Sequence, residues 1–180
     1  MVNTKNRIRW MTRTAAFIAM LVVLQMVTAP LGNTFVTGAI VNMLLIIAVM
    51  TGGLACGLSV AVISPVLAKL VGIGPLWVLI PVIVIGNAAL VSLWFWIGNR
   101  EMKHRNMALI LALLSAAVLK FLILFTGIVL ILVPVFLNLN EQQTAVVTSM
   151  FSIPQLINAL SGGTLAMLLL PLLKKAEKQE

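Results

Sequence analysis

The chain has 180 residues, 62% of them hydrophobic and 9% charged, against roughly 45–50% apolar and about 25% charged in a soluble domain. A fold of this size has too little interior to hide so much apolar surface, so a soluble globular fold is excluded and lipid is the expected solvent. The formal charge of +8 does not point to nucleic acid, because Lys and Arg gather at the ends of apolar runs rather than along a groove.

A hydrocarbon core about 30 Å thick calls for about 20 helical residues. Six runs are read as spans: residues 12–28, 36–50, 54–71, 79–97, 107–133 and 146–173. The first follows basic residues as a signal peptide would. Pro30 directly after Ala29 is a poor place to cut, so an uncleaved first helix is expected. The second run is short, and with Gly32 and Gly38 nearby its outer end is expected to be irregular or packed inside the bundle. The breaks carry turn chemistry at residues 29–33, 51–53, 72–75 and 138–142, and charge at 99–106. Short linkers make antiparallel neighbours. The expected fold is therefore all-α: one compact bundle of six transmembrane helices over residues 1–180, with no second domain and no repeat.

Orientation follows from the cations. With the N-terminus inside, the inner segments hold Lys5, Arg7, Arg9, Arg13, Arg100, Lys103, Arg105, Lys174, Lys175 and Lys178, ten of the twelve basic residues. The outer loops near residues 29–35, 72–78 and 134–145 hold none. The positive-inside rule then puts both termini in the cytoplasm.

Enzyme motifs are missing. The sequence has no phosphate-binding loop of the Gly-x-x-x-x-Gly-Lys-Ser/Thr type, no Gly-x-Ser-x-Gly elbow and no His-Glu-x-x-His. Aspartate is absent, and Glu101, Glu141, Glu177 and Glu180 all fall outside the apolar runs. No pair of carboxylates is available in the membrane for proton relay, sodium or a metal, which argues against an ion-coupled transporter. Cys56 is alone, and the single histidine, His104, reads as a solvated loop residue. Lys69, near the outer end of its run, can snorkel to the interface. A non-enzymatic binding module is what remains.

The neutral polar groups in the runs are either glue between helices or ligand contacts. Asn33, Thr37 and Asn42 flank and enter the second run, and Asn87 lies in the fourth with Trp94 near the same face. Gln155, Asn158 and Ser161 share a face of the sixth, with Phe151 one turn above and Pro154 a source of a kink. Lys120, near the middle of the fifth run, is the most unusual residue. A lysine there costs about 2.5–3.5 kcal/mol on insertion scales, and no membrane carboxylate exists to pair with it, so it must face a cavity or a partner. Ala15 and Ala19 form a small-x-x-x-small pattern that permits close approach of another helix.

These segments together resemble a known family. The basic ends, the first helix opening Arg13-Thr14-Ala15-Ala16-Phe17-Ile18-Ala19, and the loop Gly32-Asn33-Thr34-Phe35-Val36-Thr37-Gly38 are similar to a substrate-binding S-component of an energy-coupling factor (ECF) type vitamin transporter. The resemblance rests on the joint order of these segments, with residues 37–42, 58–74 and 81–87, and covers essentially the whole chain. It implies a bacterial plasma-membrane subunit that binds a vitamin at its outer side and topples to release it inward. It implies as partners a transmembrane coupling protein and two ATPase subunits, so that ATP is used on other chains and this chain holds no cofactor. Ala15 and Ala19 would meet the coupling protein. By position, Asn33, Asn87, Lys120, Gln155 and Asn158, with Phe151 beside them, would line the pocket.

Folate or pantothenate would call for several cations. Amides and tryptophans suit a large neutral ligand, so cobalamin or another corrinoid is the first expectation. A queuine-like base or another small vitamin is the second. The competing readings are a scaffold subunit with no cavity and an enzyme acting on lipid-like substrates.

Overall fold

The computed structural model describes residues 4–100 and 105–177. Glu101, Lys103, His104, Lys178 and Glu180 lie outside the described residues. Among those described, every regular element is helical: α1 (Thr4–Thr28), α2 (Thr34–Leu70), α3 (Ile80–Gly98), α4 (Arg105–Leu124), α5 (Val133–Phe136), α6 (Glu141–Met150) and α7 (Ile153–Glu177). Five stretches are long and apolar enough to cross a membrane: Arg7–Leu31, Thr34–Leu70, Trp77–Gly98, Asn106–Phe136 and Glu141–Leu173. That is the architecture of a multi-pass helical membrane protein.

α1 turns a narrow stripe inward. Thr14, Leu21 and Thr28 are buried at intervals of two turns. The two threonines are buried without penalty because their hydroxyls donate to the carbonyls of Trp10 and Leu24, at 2.9 and 2.8 Å. Met11, Met20, Val23 and Val27 face outward, an arrangement that suits lipid and would be costly in water. A short 3₁₀ turn, Ala29–Leu31, then closes on Gly32, whose positive φ of 67° is the left-handed conformation glycine adopts freely. Asn33 starts α2 as its N-cap, its side-chain oxygen accepting from the backbone N–H of Phe35 at 3.0 Å.

α2 is the centre of the bundle and packs against α1, α3 and α7. Every residue from Leu44 to Met50 is buried, as expected of a helix surrounded on all sides. Its 37 residues would reach about 55 Å if straight, well beyond a bilayer core. The helix is broken at Gly53, where φ is 82° and ψ is 173°, a region essentially restricted to glycine. A Cβ built on Gly57 would lie 2.5 Å from the Cβ of Val49, positions that an unbroken helix would separate by about 12 Å. The chain doubles back at Gly53. The expected linker at 51–53 is thus compressed into one residue. The carbonyl of Thr51 beside it accepts from the Arg13 guanidinium at 3.1 Å, tying α1 to the bend.

Leu45, Ile46, Val49 and Val60 of α2 meet Leu90, Val91 and Trp94 of α3 in the main core. Ala108, Ala112 and Ala116, one turn apart on α4, are wholly buried and let that helix approach closely. α4 continues into a π-helix, Phe125–Leu132, before Pro134 in α5. Pro134 has no N–H for the carbonyl four residues back, which favours such a rearrangement.

The sixth run is not one helix. The reading that set Phe151 one helical turn above Gln155 is corrected: α6 ends at Met150, Phe151 and Ser152 form a turn, and α7 begins at Ile153. Pro154 fits the restart, since proline is favoured in a helix's first turn, where its missing N–H costs no hydrogen bond.

Candidate functional site

The doubling back of α2 brings Asn42 and Ser64, each eleven residues from Gly53, to the same level of the bundle. Both are buried and both line one cavity of about 370 Å³. Its rim is built from exposed Gly32, Asn33 and Thr34 where α1 joins α2. Its floor holds Asn42, Asn87 and Lys120, contributed by α2, α3 and α4. Ile83, Leu124, Met150 and Phe151 supply apolar wall, and Gln25, Gln155 and Asn158 supply further amides.

Lys120 is 4% exposed. Its ammonium donates to the side-chain oxygens of Asn42 at 2.6 Å and Asn87 at 2.7 Å. These are short bonds, as expected when the donor is charged. Asn42 is held in that orientation, since its amide nitrogen donates to the carbonyl of Gly38 at 2.9 Å. Gly86 on α3 leaves room for Leu124, whose side chain a Cβ there would approach to 3.2 Å, while the Lys120 Cγ at 3.6 Å would be in ordinary contact. An ammonium has three donors. Two are used here, and the residue borders the cavity.

Two acceptors are left over. The side-chain oxygens of Gln25 and Asn158 are buried and make no hydrogen bond among the described residues. Asn158, 2% exposed, packs its amide against Gly38, one turn along α2 from Asn42. A buried unpaired amide costs about 1–3 kcal/mol. Two of them around one cavity mark a place that a polar molecule would complete.

The other polar groups are occupied locally. Asn33 spends its oxygen on the α2 cap and is exposed, so it forms rim rather than floor. The Gln155 amide nitrogen donates to the carbonyl of Met150 at 3.1 Å, bridging the turn at Phe151 and Ser152. Thr37 donates to the Thr28 hydroxyl at 3.0 Å, pinning α2 to α1.

All six residues named from sequence, Asn33, Asn87, Lys120, Phe151, Gln155 and Asn158, border this cavity. Asn42 was legible as a polar residue in an apolar run, but its place as a partner of Lys120 was not. Gln25 and Ser64 were missed. Gln25 is the one amide within the first apolar run, a signal that was available. Ala15 and Ala19 lie apart from the cavity, exposed on α1. Among the described residues no carboxylate lines the cavity. Among the described residues no cluster of His, Cys, Asp or Glu could hold a metal. The cavity is equipped to recognise a molecule by hydrogen bonding and charge. Comparison with protein-family models, with curated proteins and with solved structures finds no match for this chain.

Proposed function

We propose that this chain is the solute-binding subunit of an ECF-type importer in a bacterial plasma membrane. The reading counts six crossings with both termini in the cytoplasm. The reversal at Gly53 supports reading Thr34–Leu70 as two crossings, and the placement of basic residues supports the orientation. The cavity rim at Gly32–Thr34 then opens outward. The partners on this reading are a coupling membrane protein, reached through exposed Ala15 and Ala19, and two ATPases that hydrolyse ATP in place of this chain.

The observation that carries the proposal is the pair of orphaned amide oxygens, Gln25 and Asn158, beside a buried cation in one ligand-sized cavity. A scaffold would have filled that space with side chains, because cavities and unpaired amides both destabilise. An enzyme would need an activated acid–base or nucleophile pair at the wall, and among the described residues the lining hydroxyls, Thr34, Thr37 and Ser64, share it with no carboxylate, histidine or cysteine.

Size supports the second of the two expected substrate classes. Ligand pockets span about 300–1,000 Å³, and about 370 Å³ is at the small end. A small vitamin or queuine-like base fits that volume better than a corrinoid. The test is to purify the chain from a bacterial host, denature it and identify by mass spectrometry what it releases. A stoichiometric small heterocycle is expected. An empty chain that also fails to co-purify with any coupling protein and ATPase pair would overturn the proposal.

A further inference from the structure

We infer that the molecule this cavity takes is a compact monoanion: one acidic group docked on Lys120, an apolar body, and N–H or O–H donors directed to Asn158 and Gln25. The inference rests on the solute-binding reading and specifies the chemistry of its ligand.

The charge argument starts from what surrounds the ammonium. Asn42 and Asn87 give it two neutral oxygens, and among the described residues no carboxylate lines the cavity. Amide dipoles solvate a cation without neutralising it. In a buried setting the remaining charge interacts far more strongly with an anion than it would in water. The Asn42 amide cannot turn to offer a donor in place of its oxygen, because its nitrogen is held by the Gly38 carbonyl. One charge is also the limit. Lys69 donates to the backbone of Gly74 at 3.4 Å and does not border the cavity, so a second acidic group would find no cation there.

The donor argument comes from the orphaned oxygens. Asn158 packs at Gly38, one turn of α2 from Asn42 and towards the rim. The Thr37–Thr28 hydrogen bond fixes the register of α1 against α2, so Gln25, three residues before Thr28, falls near the same level. On that register both residues belong to the level between Asn42 and the rim. Phe151, Met150, Ile83 and Leu124 provide the apolar surface for the body between them.

The experiment compares the compound released on denaturation from wild type, Lys120→Met and Lys120→Arg, purified in parallel. Thermal unfolding is then followed with benzoate and with benzamide, probes of equal size that differ in charge. We expect wild type to release a compound with one acidic group, Lys120→Arg to retain it and Lys120→Met to lose it. Benzoate should protect wild type at concentrations at least tenfold below benzamide, and this preference should vanish in Lys120→Met. A neutral or multiply charged released compound, or equal protection by the two probes, would overturn the monoanion inference and leave the solute-binding reading standing. Should no variant release a compound and neither probe protect, the monoanion inference falls, and failure to co-purify a coupling protein and ATPase pair as well brings down the solute-binding reading.

Discussion

The Lys120 ammonium lies 2.6 Å from the Asn42 side-chain oxygen, a bond between positions 78 residues apart that fastens α4 to α2. Asn87 reaches the same ammonium from α3, so three helices meet at one charge. Hydrogen bonds to charged groups contribute about 1.5–3 kcal/mol, and losing either amide leaves the buried cation less well solvated. Asn42→Leu and Asn87→Leu should each destabilise the detergent-purified chain by about that amount. The triple replacement Asn42→Leu, Asn87→Leu, Lys120→Met removes charge and partners together and should recover most of the loss, as apolar substitution of buried polar clusters often does. It should bind no solute. Additive destabilisation across the triple variant would mean that the three side chains do not act as one network.

Gly53 and Gly32 both have positive φ, and they should respond differently to asparagine. Gly32, at φ 67° and ψ 1°, is close to the left-handed helical region that asparagine tolerates. Gly53, at φ 82° and ψ 173°, is in the extended positive-φ region that asparagine does not enter readily. No atom crowds a Cβ at either position, so the cost is backbone strain alone. Gly53→Ala and Gly53→Asn should both destabilise by about 1–3 kcal/mol, whereas Gly32→Asn should cost well under 1 kcal/mol. Chemical unfolding of the three variants in detergent provides the comparison.

The sequence disclosed most of the helices because long apolar runs between Gly, Pro and Asn turns have few other uses, and it disclosed the cavity because polar residues in such runs must converge. Asn87, Lys120 and Asn158 were identifiable for that reason. Two features were not legible. The turn at Phe151 and Ser152 interrupts a run whose hydropathy is continuous, and only Pro154 hinted that the helix begins there. The pairing of Lys120 with Asn42 depends on how far α2 folds back at Gly53. That angle is set by one residue's φ and ψ, which no composition window records.

Two glycines, Gly162 and Gly38, separate structure from function on the α2–α7 contact. A Cβ on Gly162 would strike the backbone carbonyl of Ala39 and stand 2.9 Å from the backbone nitrogen of Met43. Backbone cannot move aside, so Gly162→Ala should push the helices apart and cost about 1–3 kcal/mol or more. A Cβ on Gly38 would strike the Asn158 side chain instead, and a side chain can rotate. Gly38→Ala should therefore lower solute affinity tenfold or more while changing the unfolding midpoint less than Gly162→Ala does. The reverse ranking would show that Asn158 serves packing rather than recognition.

Ala15 and Ala19 test the coupling half of the proposed function. Both are exposed on α1 and neither borders the cavity. The stripe that faces the bundle from this helix is Thr14, Leu21 and Thr28, one or two residues out of phase. An isolated chain therefore has space outside both alanines, and tryptophan at either position should leave folding and solute binding intact. A partner helix seated on the small pair would be driven off, because close helix approach in a membrane depends on small side chains. The double variant Ala15→Trp, Ala19→Trp should bind solute as wild type does in equilibrium measurements on the purified chain. It should lose co-purification with the coupling protein and, in cells, uptake. Uptake at the wild-type rate would place the partner surface elsewhere on the molecule. A loss of solute binding would mean that α1 transmits strain to Gln25, the residue by which it borders the cavity.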